Sequence, residues 1–238
     1  MRKFKELGFK QYLIDTKKIP DDGYVMNYGD RDIVDDNLIY CWEANTIIKI
    51  NENEEGYFDF TKSMIDVGSF VGTHSFATDF GHYYMFDGNK EFCVISEFNM
   101  LLHDKLDKCD MYNVLLSDKV EEIGYDGFNT EYTDMSNNNI FERAEAHKAK
   151  CVTLDSFSLE NIGFIKVDVE GMEYNVLKGG LGTIIRNNYP PILFELWKVG
   201  YYGMTQERHD LLVNFLEDLG YEIKWEWGDY ETHLAIHK

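Results

Sequence analysis

Short apolar runs alternate with stretches of helical periodicity along the chain from about residue 64 onward. The apolar runs predict strands at Met64 to Val67, His82 to Phe86, Tyr112 to Leu116, Phe164 to Val169 and Ile192 to Leu196. Apolar positions three and four residues apart predict helices between these strands: one begins near Thr73, one carries Phe92 to Leu102, and one runs from Met172 to Ile185. This order is typical of a parallel sheet covered by helices on both faces.

The C-terminal part of the chain predicts an antiparallel finish to that sheet. A helix with apolar residues from Leu211 to Leu219 ends at Gly220, and apolar and polar residues then alternate from Tyr221 to Trp227, as in a strand. After a turn at 228–229, residues 233–237 predict the returning strand. We therefore expect an α/β fold with a mostly parallel seven-stranded sheet and an antiparallel C-terminal hairpin, which is typical of Rossmann-like class I methyltransferases.

Two segments do not follow this alternation. Residues 1–60 contain turn signals and one possible strand at Tyr24 to Asn27, and we interpret them as an N-terminal extension packed on a core domain of residues 61–238. Residues 119–150 form a long polar insertion between the third and fourth predicted strands. Loops of that length in compact domains tend to be functional, and this one is predicted to lie where a substrate lid would lie.

Charge and composition limit the classes of partner that the protein is expected to bind. The 43 acidic and 23 basic side chains give a formal net charge of −20, which repels nucleic acid and anionic membranes. The basic N-terminus is followed by no apolar segment of signal-peptide type, and no apolar run approaches membrane-spanning length. The cysteines are far apart and are predicted to be reduced thiols, which fits a cytoplasmic protein; they are Cys41, Cys93, Cys109 and Cys151.

A glycine-containing turn follows the first predicted core strand. Gly68 and Gly72 lead into a helix, which lets the backbone approach a ligand closely and leaves amide groups available at the turn. Their spacing differs from the dinucleotide-binding pattern G-x-G-x-x-G. Asp66, two positions before the first glycine, suits a ligand whose amino acid end carries an ammonium. Asp87, at the end of the second strand, can accept hydrogen bonds from both hydroxyls of a ribose.

Carboxylates also follow the fourth and fifth predicted strands. Asp168 and Glu170 alternate to the same strand face as Lys166, and Glu195 ends the neighbouring strand. The carboxyl ends of parallel strands are where open α/β sheets place their ligands. Glu173 falls in the first turn of a helix, where the helix dipole favours a negative charge in any case.

From about Cys41 to the C-terminus the chain resembles the FkbM family of methyltransferases. The resemblance rests on the glycine turn, on Phe86-Asp87-Gly88, and on two longer segments. These segments are Asn113-Val-Leu-Leu-Ser117-Asp118 and Lys166-Val-Asp168-Val-Glu170-Gly171-Met-Glu173-Tyr-Asn-Val-Leu177-Lys-Gly179. Trp42-Glu43 is similar to the aromatic-Glu pair that helps to close the cofactor site in the family.

The resemblance implies an enzyme that transfers a methyl group from S-adenosylmethionine to a sugar hydroxyl, in a glycan or a glycosylated small molecule. It implies backbone contacts to the cofactor at the glycine turn, a ribose contact at Asp87, and adenine-side contacts at Ser117 and Asp118. The expected cofactor-binding residues are Glu43, Asp66, Gly68, Ser69, Gly72, Asp87, Ser117, Asp118 and Asp168. Phe70 and Gly88 replace the usual asparagine and proline of the family, so side-chain contacts are not carried over at these two positions.

A sugar hydroxyl is a poor nucleophile at neutral pH and needs a base or a metal ion. Asp168, with Glu170 or Glu195 beside it, is the candidate base, and His74 is a second candidate because its ordinary pKa suits the role. Asp168 and Glu195 could instead hold Mg²⁺, which prefers oxygen ligands. The seven histidines show no H-x-H or H-E-x-x-H spacing, so a zinc site is not expected.

Three other functions remain open at this point. The acceptor could be another small-molecule hydroxyl or an amine. The chain could be a relic that binds the cofactor without catalysis, which the replacement at Phe70 makes conceivable. A nicotinamide-dependent sugar enzyme is disfavoured by the glycine spacing.

Overall fold

A computed structural model describes residues 43–125, 147–201, 203–229 and 231–238. The helices are α1 (Ala44–Glu52), α2 (Thr73–Ala77), α3 (Lys90–Leu102), α4 (Glu173–Gly179), α5 (Leu181–Arg186) and α6 (Gln206–Asp218). The strands are β1 (Ser63–Val67), β2 (His82–Asp87), β3 (Cys109–Asn113), β4 (Leu115–Leu116), β5 (Glu121–Tyr125), β6 (His147–Val152), β7 (Ile162–Val167), β8 (Ile192–Glu195), β9 (Tyr221–Lys224) and β10 (Thr232–His237).

The central sheet has seven strands in the order β3-β2-β1-β7-β8-β10-β9. The first five of these strands are parallel, and β10 pairs antiparallel with both β8 and β9. The strand order reverses direction at β1 and β7, and the carboxyl ends of these two strands therefore flank the crevice in which sheets of this kind bind ligands. The mostly parallel seven-stranded sheet with its antiparallel C-terminal hairpin confirms the fold class expected from the sequence.

Burial explains why the central strands are continuous apolar runs. Every residue of β1 and β7 is buried, because each face of the sheet is covered by its own apolar cluster. Ile65, Val167 and Phe194 belong to one cluster, and Met64, Phe164 and Leu193 belong to the other. A single polar position in such a strand is costly unless it is paired, so the charged residues of β1 and β7 require an explanation from the site.

Three predicted elements differ from the structure. The third strand of the sheet is β3, and the predicted run at Tyr112 to Leu116 instead ends in β4, which belongs to a separate three-stranded sheet β4-β6-β5. The helix predicted from Met172 to Ile185 is two helices that meet at Gly180. The strand predicted through Trp227 ends at Lys224, since Trp225 lies beyond β9 with half of its surface exposed.

Helix α1 connects the N-terminal part of the described chain to the C-terminal hairpin. Ile47 and Ile50 are fully buried in the cluster that also contains Leu234 of β10. The remainder of the expected N-terminal extension, including Cys41, Trp42 and the possible strand at Tyr24 to Asn27, lies outside the described residues, as does 126–146 of the insertion. The described remainder of that insertion contributes β5 and part of β6.

Cys93, Cys109 and Cys151 are free thiols, in keeping with the prediction for these three positions. In the part of the chain that the structure describes, no helix combines the length and apolar character needed to cross a bilayer.

Candidate active site

The turn after β1 is held open by residues in the left-handed backbone region. Gly68 and Gly72 have φ values of 74° and 82°, which glycine adopts without steric cost. The amides of Gly68 and Ser69 both donate to the Phe86 carbonyl at the end of β2, at 2.9 and 3.1 Å, and the Gly72 amide donates to the Ser69 carbonyl at 2.7 Å. These bonds fix the turn against the end of the neighbouring strand.

Gly68 also allows the turn to pass directly over the end of β7. A Cβ atom at this position would lie 1.7 Å from the Asp168 main-chain oxygen, far inside van der Waals contact. The Asp168 amide in turn donates to the Val67 carbonyl at 3.0 Å. The ends of β1 and β7 are thus joined with no room for a side chain between them.

Asp87, the expected ribose-binding carboxylate, holds both sides of its own loop. Its Oδ2 accepts from the Phe70 amide at 2.9 Å, and its Oδ1 accepts from the Asn89 amide at 2.8 Å. Burial raises the pKa of Asp87 to about 6, although both amides oppose this shift. Each carboxylate oxygen has a second lone pair, so these bonds orient Asp87 and leave acceptor capacity for hydroxyl groups.

Phe70, which replaces an asparagine of the family pattern, adopts a φ of 50°. Asparagine tolerates this left-handed conformation, whereas a bulky side chain there is strained. The Phe70 ring packs edge-on against Phe92, with the ring centroids 4.5 Å apart. The turn therefore keeps its shape because the Asp87 bond and this aromatic contact offset the strain.

Asp66 is completely buried, and both of its carboxylate oxygens face partners within the protein. Its Oδ2 accepts from the Ser75 hydroxyl at 2.6 Å, and its Oδ1 lies 3.4 Å from the Lys166 ammonium. Lys166 also donates to the Gly68 carbonyl at 2.7 Å and lies 3.7 Å from Asp168 Oδ2. Burial opposes the charge of Lys166, but Asp66 and Asp168 outweigh burial and raise its pKa. The two carboxylates and the glycine turn thus share one buried cation.

His74, the second candidate base, is buried in α2 and faces Glu43. Its Nδ1 lies 3.4 Å from Glu43 Oε2, and its Nε2 has no hydrogen-bond partner among the described residues. Burial, aided by Lys166, lowers the pKa of His74 to about 4, so the ring is neutral at pH 7. Burial raises the pKa of Glu43 to about 8, with Lys166 opposing and the carboxylates of Asp168 and Asp66 adding to the shift. Glu43 and His74 therefore meet as two neutral groups.

Asp168, Glu170 and Glu195 converge beyond the ends of β7 and β8. Each offers a carboxylate oxygen, and these oxygens lie within 4.8 Å of one another. Oε2 of Glu195 is buried with no hydrogen-bond partner among the described residues. Burial, followed by the charges of Asp168 and Glu170, raises the pKa of Glu195. Such a cluster can take a proton from a hydroxyl or hold a divalent cation.

Glu173 shapes the loop that carries this cluster. Its Oε1 accepts from the amides of Val169 and Gly171, at 3.0 and 3.1 Å, while Glu170 between them adopts a φ of 57°. Arg208 of α6 donates to the Gly171 carbonyl from the other side, at 3.1 Å. Burial raises the pKa of Glu173 to about 7 against the effect of the amide bonds. Glu173 therefore supports the strained turn that places the Glu170 carboxylate beside those of Asp168 and Glu195.

The expected adenine-side residues lie at the junction of β4 and α4. Ser117 is fully buried, and a Cβ on Gly179 would lie 2.1 Å from the Ser117 carbonyl oxygen. Asp118 Oδ2 accepts from Lys178 at 2.8 Å, and its Oδ1 accepts from Asn175 at 3.3 Å. The glycine at the end of the Leu177-Lys-Gly179 segment thus permits the close packing of these two elements.

Three residues of this site were not singled out from the sequence: Ser75, Arg208 and Asp229, whose Oδ2 accepts from the Thr46 amide at 2.9 Å and whose charge adds to the raised pKa of Glu43. From the sequence, Lys166 has a place in the alternation of its strand and in the family segment that begins with it, but no predicted role in the site. A lysine in the middle of a strand that is otherwise apolar is itself a signal, because burying an ammonium is costly unless carboxylates surround it. Arg208 and Asp229 lie 37 and 183 residues from their partners, and Ser75 lies nine residues from Asp66 with no local pattern that marks it.

Comparison with protein families gives one match, to the model described as "Methyltransferase FkbM domain", over residues 66–223. No curated protein sequence matches the chain at a significant level.

Solved structures share the fold, and two of them have TM-scores above 0.5. The methyltransferase FkbM from Methylobacillus flagellatus KT is 15% identical, with a TM-score of 0.55 over 79% of this chain; the chain spans about half, 47%, of that protein's length. A putative caffeoyl-CoA O-methyltransferase from Staphylococcus aureus is 8% identical, with a TM-score of 0.52 over 81% of this chain and 83% of that protein. At these identities the similarity shows the fold alone.

Proposed function

Because the chain belongs to the FkbM methyltransferase family, we propose that it transfers the methyl group of S-adenosylmethionine to a hydroxyl of a sugar, in a glycan or a glycosylated small molecule. The observation that carries the proposal is the junction of Gly68 with the end of β7. There the glycine turn and the carboxylates of Asp168 and Glu195 meet at one edge of the sheet. A cofactor on the turn would therefore lie beside groups able to activate an acceptor.

The cofactor-binding roles follow the geometry of the turn. Asp87 would accept from the ribose hydroxyls with the lone pairs that its amide bonds leave free. Gly68, Ser69 and Gly72 would present backbone to the cofactor. Ser117 and Asp118 would line the adenine side, where the bonds of Asp118 to Lys178 and Asn175 fix its orientation.

S-adenosylmethionine supplies, when bound, a methyl group on a positively charged sulfur. The chain must align the acceptor oxygen behind that methyl group and exclude water, and most of the rate arises from this positioning. Asp168 would accept the proton of the acceptor hydroxyl as the new O–C bond forms and the S–C bond breaks. Lys166, 3.7 Å away, orients Asp168 toward the site. His74 is too enclosed by Glu43 to be the first candidate for this step.

The same carboxylates fit a divalent cation. Asp168, Glu170 and Glu195 provide three hard oxygen donors within 4.8 Å of one another, which is the donor type that Mg²⁺ prefers. An ion held there would lower the pKa of an acceptor hydroxyl. Proton acceptance by Asp168 and ion binding by the cluster are thus two ways in which one site could activate a sugar.

The decisive test is incubation of the chain with methyl-labelled S-adenosylmethionine and a panel of neutral sugars, amino sugars and simple glycosides, with and without a chelator. Label in a sugar hydroxyl supports the proposal, and loss of incorporation in chelator assigns the cluster to an ion. Label only in amines would redirect the proposal to N-methylation. Binding of the cofactor with no incorporation into any acceptor would favour a non-catalytic relic.

A further inference from the structure

The first turn of α1 is capped by a residue from the other end of the chain. Glu43 occupies the N-cap position of α1, but its side chain makes no capping hydrogen bond. Instead, Asp229 Oδ2 accepts from the Thr46 amide at 2.9 Å, which is the amide that an N-cap side chain normally satisfies. The cap of α1 is thus supplied from 183 residues away in the sequence.

The contact between α1 and the hairpin turn is extensive. The Thr46 hydroxyl donates to Asp229 Oδ2 and accepts from the Asp229 amide, both at 2.9 Å, and Asn45 donates to Asp229 Oδ1 at 2.9 Å. A Cβ on Gly228 would lie 2.1 Å from the Thr46 hydroxyl oxygen, so the two segments touch. Lys49 donates to the Trp227 carbonyl at 2.5 Å one turn later. These bonds fix the direction in which α1 begins.

Because Asp229 caps α1, the Glu43 side chain does not take part in capping and can extend away from the helix. A glutamate whose carboxylate folds back onto its own helix cannot reach outward, whereas here Glu43 lies 3.4 Å from His74, and its side chain remains 28% exposed. Asp66, the residue expected from the sequence to meet an ammonium, is fully buried and is already paired with Ser75 and Lys166. Glu43 is therefore better placed than Asp66 to meet a cation that arrives from solvent.

The charges around Glu43 also favour an incoming cation. Asp66 of β1, Asp168 at the end of β7 and Asp229 of the hairpin turn all act on Glu43, whereas among the described residues Lys166 supplies the main opposing positive charge and His74 of α2 is neutral. A site with three such neighbours and a single ammonium has a negative potential.

We propose that Asp229 is a positioning residue of the cofactor site: by capping α1 in place of Glu43, it leaves the Glu43 carboxylate to receive the ammonium at the amino acid end of the cofactor. The proposal rests on the proposed function, since it takes S-adenosylmethionine as the ligand. It assigns to the C-terminal hairpin a part in cofactor recognition, although the hairpin lies two strands away from β7 in the sheet.

The test compares ligands with and without the amino acid end. Calorimetry of the whole chain measures the Kd of S-adenosylmethionine and of 5′-methylthioadenosine, which lacks both the amino acid and the sulfonium charge. S-adenosylhomocysteine keeps the amino acid on an uncharged sulfur and should show the same losses as S-adenosylmethionine, which excludes the sulfonium charge as their cause. For Asp229→Ala and for Glu43→Gln, we expect S-adenosylmethionine to bind about 10-fold more weakly, while 5′-methylthioadenosine binds as tightly as it does to the wild type. The double variant should lose no more than either single variant, because both changes remove the same contact.

Asp59→Ala is the matched control. Asp59 Oδ1 also accepts from a threonine amide and hydroxyl, those of Thr61 at 3.1 and 2.6 Å, and it precedes β1, at the opposite end of the strand from the glycine turn. This variant should bind both ligands normally. Asp229→Asn keeps an acceptor for the Thr46 amide and should retain most of the affinity that Asp229→Ala loses. If Asp229→Ala does not fold, Thr46→Val takes its place, with a loss for S-adenosylmethionine of about threefold.

Unchanged S-adenosylmethionine affinity in Asp229→Ala, or an equal loss for both ligands, would overturn the proposal, since an equal loss indicates general damage to the fold. A wild-type chain that binds 5′-methylthioadenosine as tightly as S-adenosylmethionine would also overturn it, while leaving the nucleoside site in place. A wild-type chain that binds neither ligand is the separate failure of the proposed function.

Discussion

The Lys166 ammonium donates a hydrogen bond to the main-chain carbonyl of Gly68 at 2.7 Å, and in this way a side chain of β7 holds the glycine turn that follows β1. The same nitrogen lies 3.4 Å from Asp66 Oδ1 and 3.7 Å from Asp168 Oδ2. One cation therefore ties the turn to the strand end that carries the candidate base. The shape of the turn and the orientation of that base are consequently coupled.

Replacement of Lys166 by methionine should destabilise the protein strongly. The change leaves the buried Asp66 carboxylate without its cation, and loss of one partner of a buried ion pair costs about 3–5 kcal/mol. Urea unfolding measures this loss. Lys224→Met is the control, because Lys224 pairs with Glu222 on the surface and its loss should change stability by no more than about 0.5 kcal/mol. Equal stabilities of the two variants would contradict the role assigned to Lys166.

The sequence predicts the central strands well because burial on both faces requires continuous apolar runs, as in β1 and β7. It misplaces the third strand because β3 is an edge strand. Asp110 and Asn113 of β3 are exposed, so the apolar signal shifts to the Leu115–Leu116 segment, which packs elsewhere. The break at Gly180 also escapes the pattern, since it depends on contact with Leu154, where a Cβ on Gly180 would lie 2.8 Å from a leucine methyl.

Some residues of the candidate site can likewise be predicted from the sequence, and others cannot. The positions of Asp87 and Asp168 can be predicted because strand ends of a parallel sheet lie at one edge, and each residue is within one position of the end of a predicted strand. The partners of Asp66 cannot be predicted, since Ser75 and Lys166 reach it through packing in three dimensions. The cap of α1 by Asp229 is the extreme case, because it spans 183 residues.

Replacement of Gly68 by alanine should disrupt the junction of β1 and β7. The new Cβ would lie 1.7 Å from the Asp168 oxygen, so the turn must move, and cofactor affinity should be lost. Gly56→Ala is a matched control: Gly56 has a φ of 70°, close to the 74° of Gly68, but no atom lies within 4 Å of its Cβ position. The backbone strain of about 1–2 kcal/mol is common to both variants. Urea unfolding and calorimetry should show a larger loss of stability, and a loss of binding, for Gly68→Ala alone.

Replacement of Asp168 by asparagine should slow methyl transfer more than it weakens cofactor binding. Removal of a general base typically lowers the rate by a factor of about 10²–10⁴, while asparagine preserves the size of the side chain. Labelled-methyl incorporation gives the rate, and calorimetry gives the Kd of S-adenosylmethionine. Asp110→Asn, at an exposed position in β3, should leave both unchanged. A rate within twofold of wild type would exclude Asp168 as the base.

Binding of S-adenosylmethionine at pH 7 should release a proton from Glu43. Burial raises the pKa of Glu43 to about 8, so its carboxyl is mostly protonated at pH 7 in the ligand-free protein. An ammonium placed against it favours the charged form and lowers that pKa. The expected release is close to one proton per cofactor. Calorimetry in two buffers of different ionisation enthalpy measures it at constant pH. Glu43→Gln cannot ionise and should abolish the release, and 5′-methylthioadenosine, which has no ammonium, should cause none.

The raised pKa of Glu43 should also make the stability of the ligand-free protein depend on pH. Well below pH 4.5, the ordinary pKa of a glutamate carboxyl, and well above pH 8, Glu43 has the same charge in the folded and the unfolded chain. Between these limits the folded protein holds the additional proton, so the stability of the ligand-free protein falls as the pH rises from about 4.5 to about 8. Glu43→Gln should flatten that part of the profile in urea unfolding, and a profile that this variant leaves unchanged would remove Glu43 as the source of the proton.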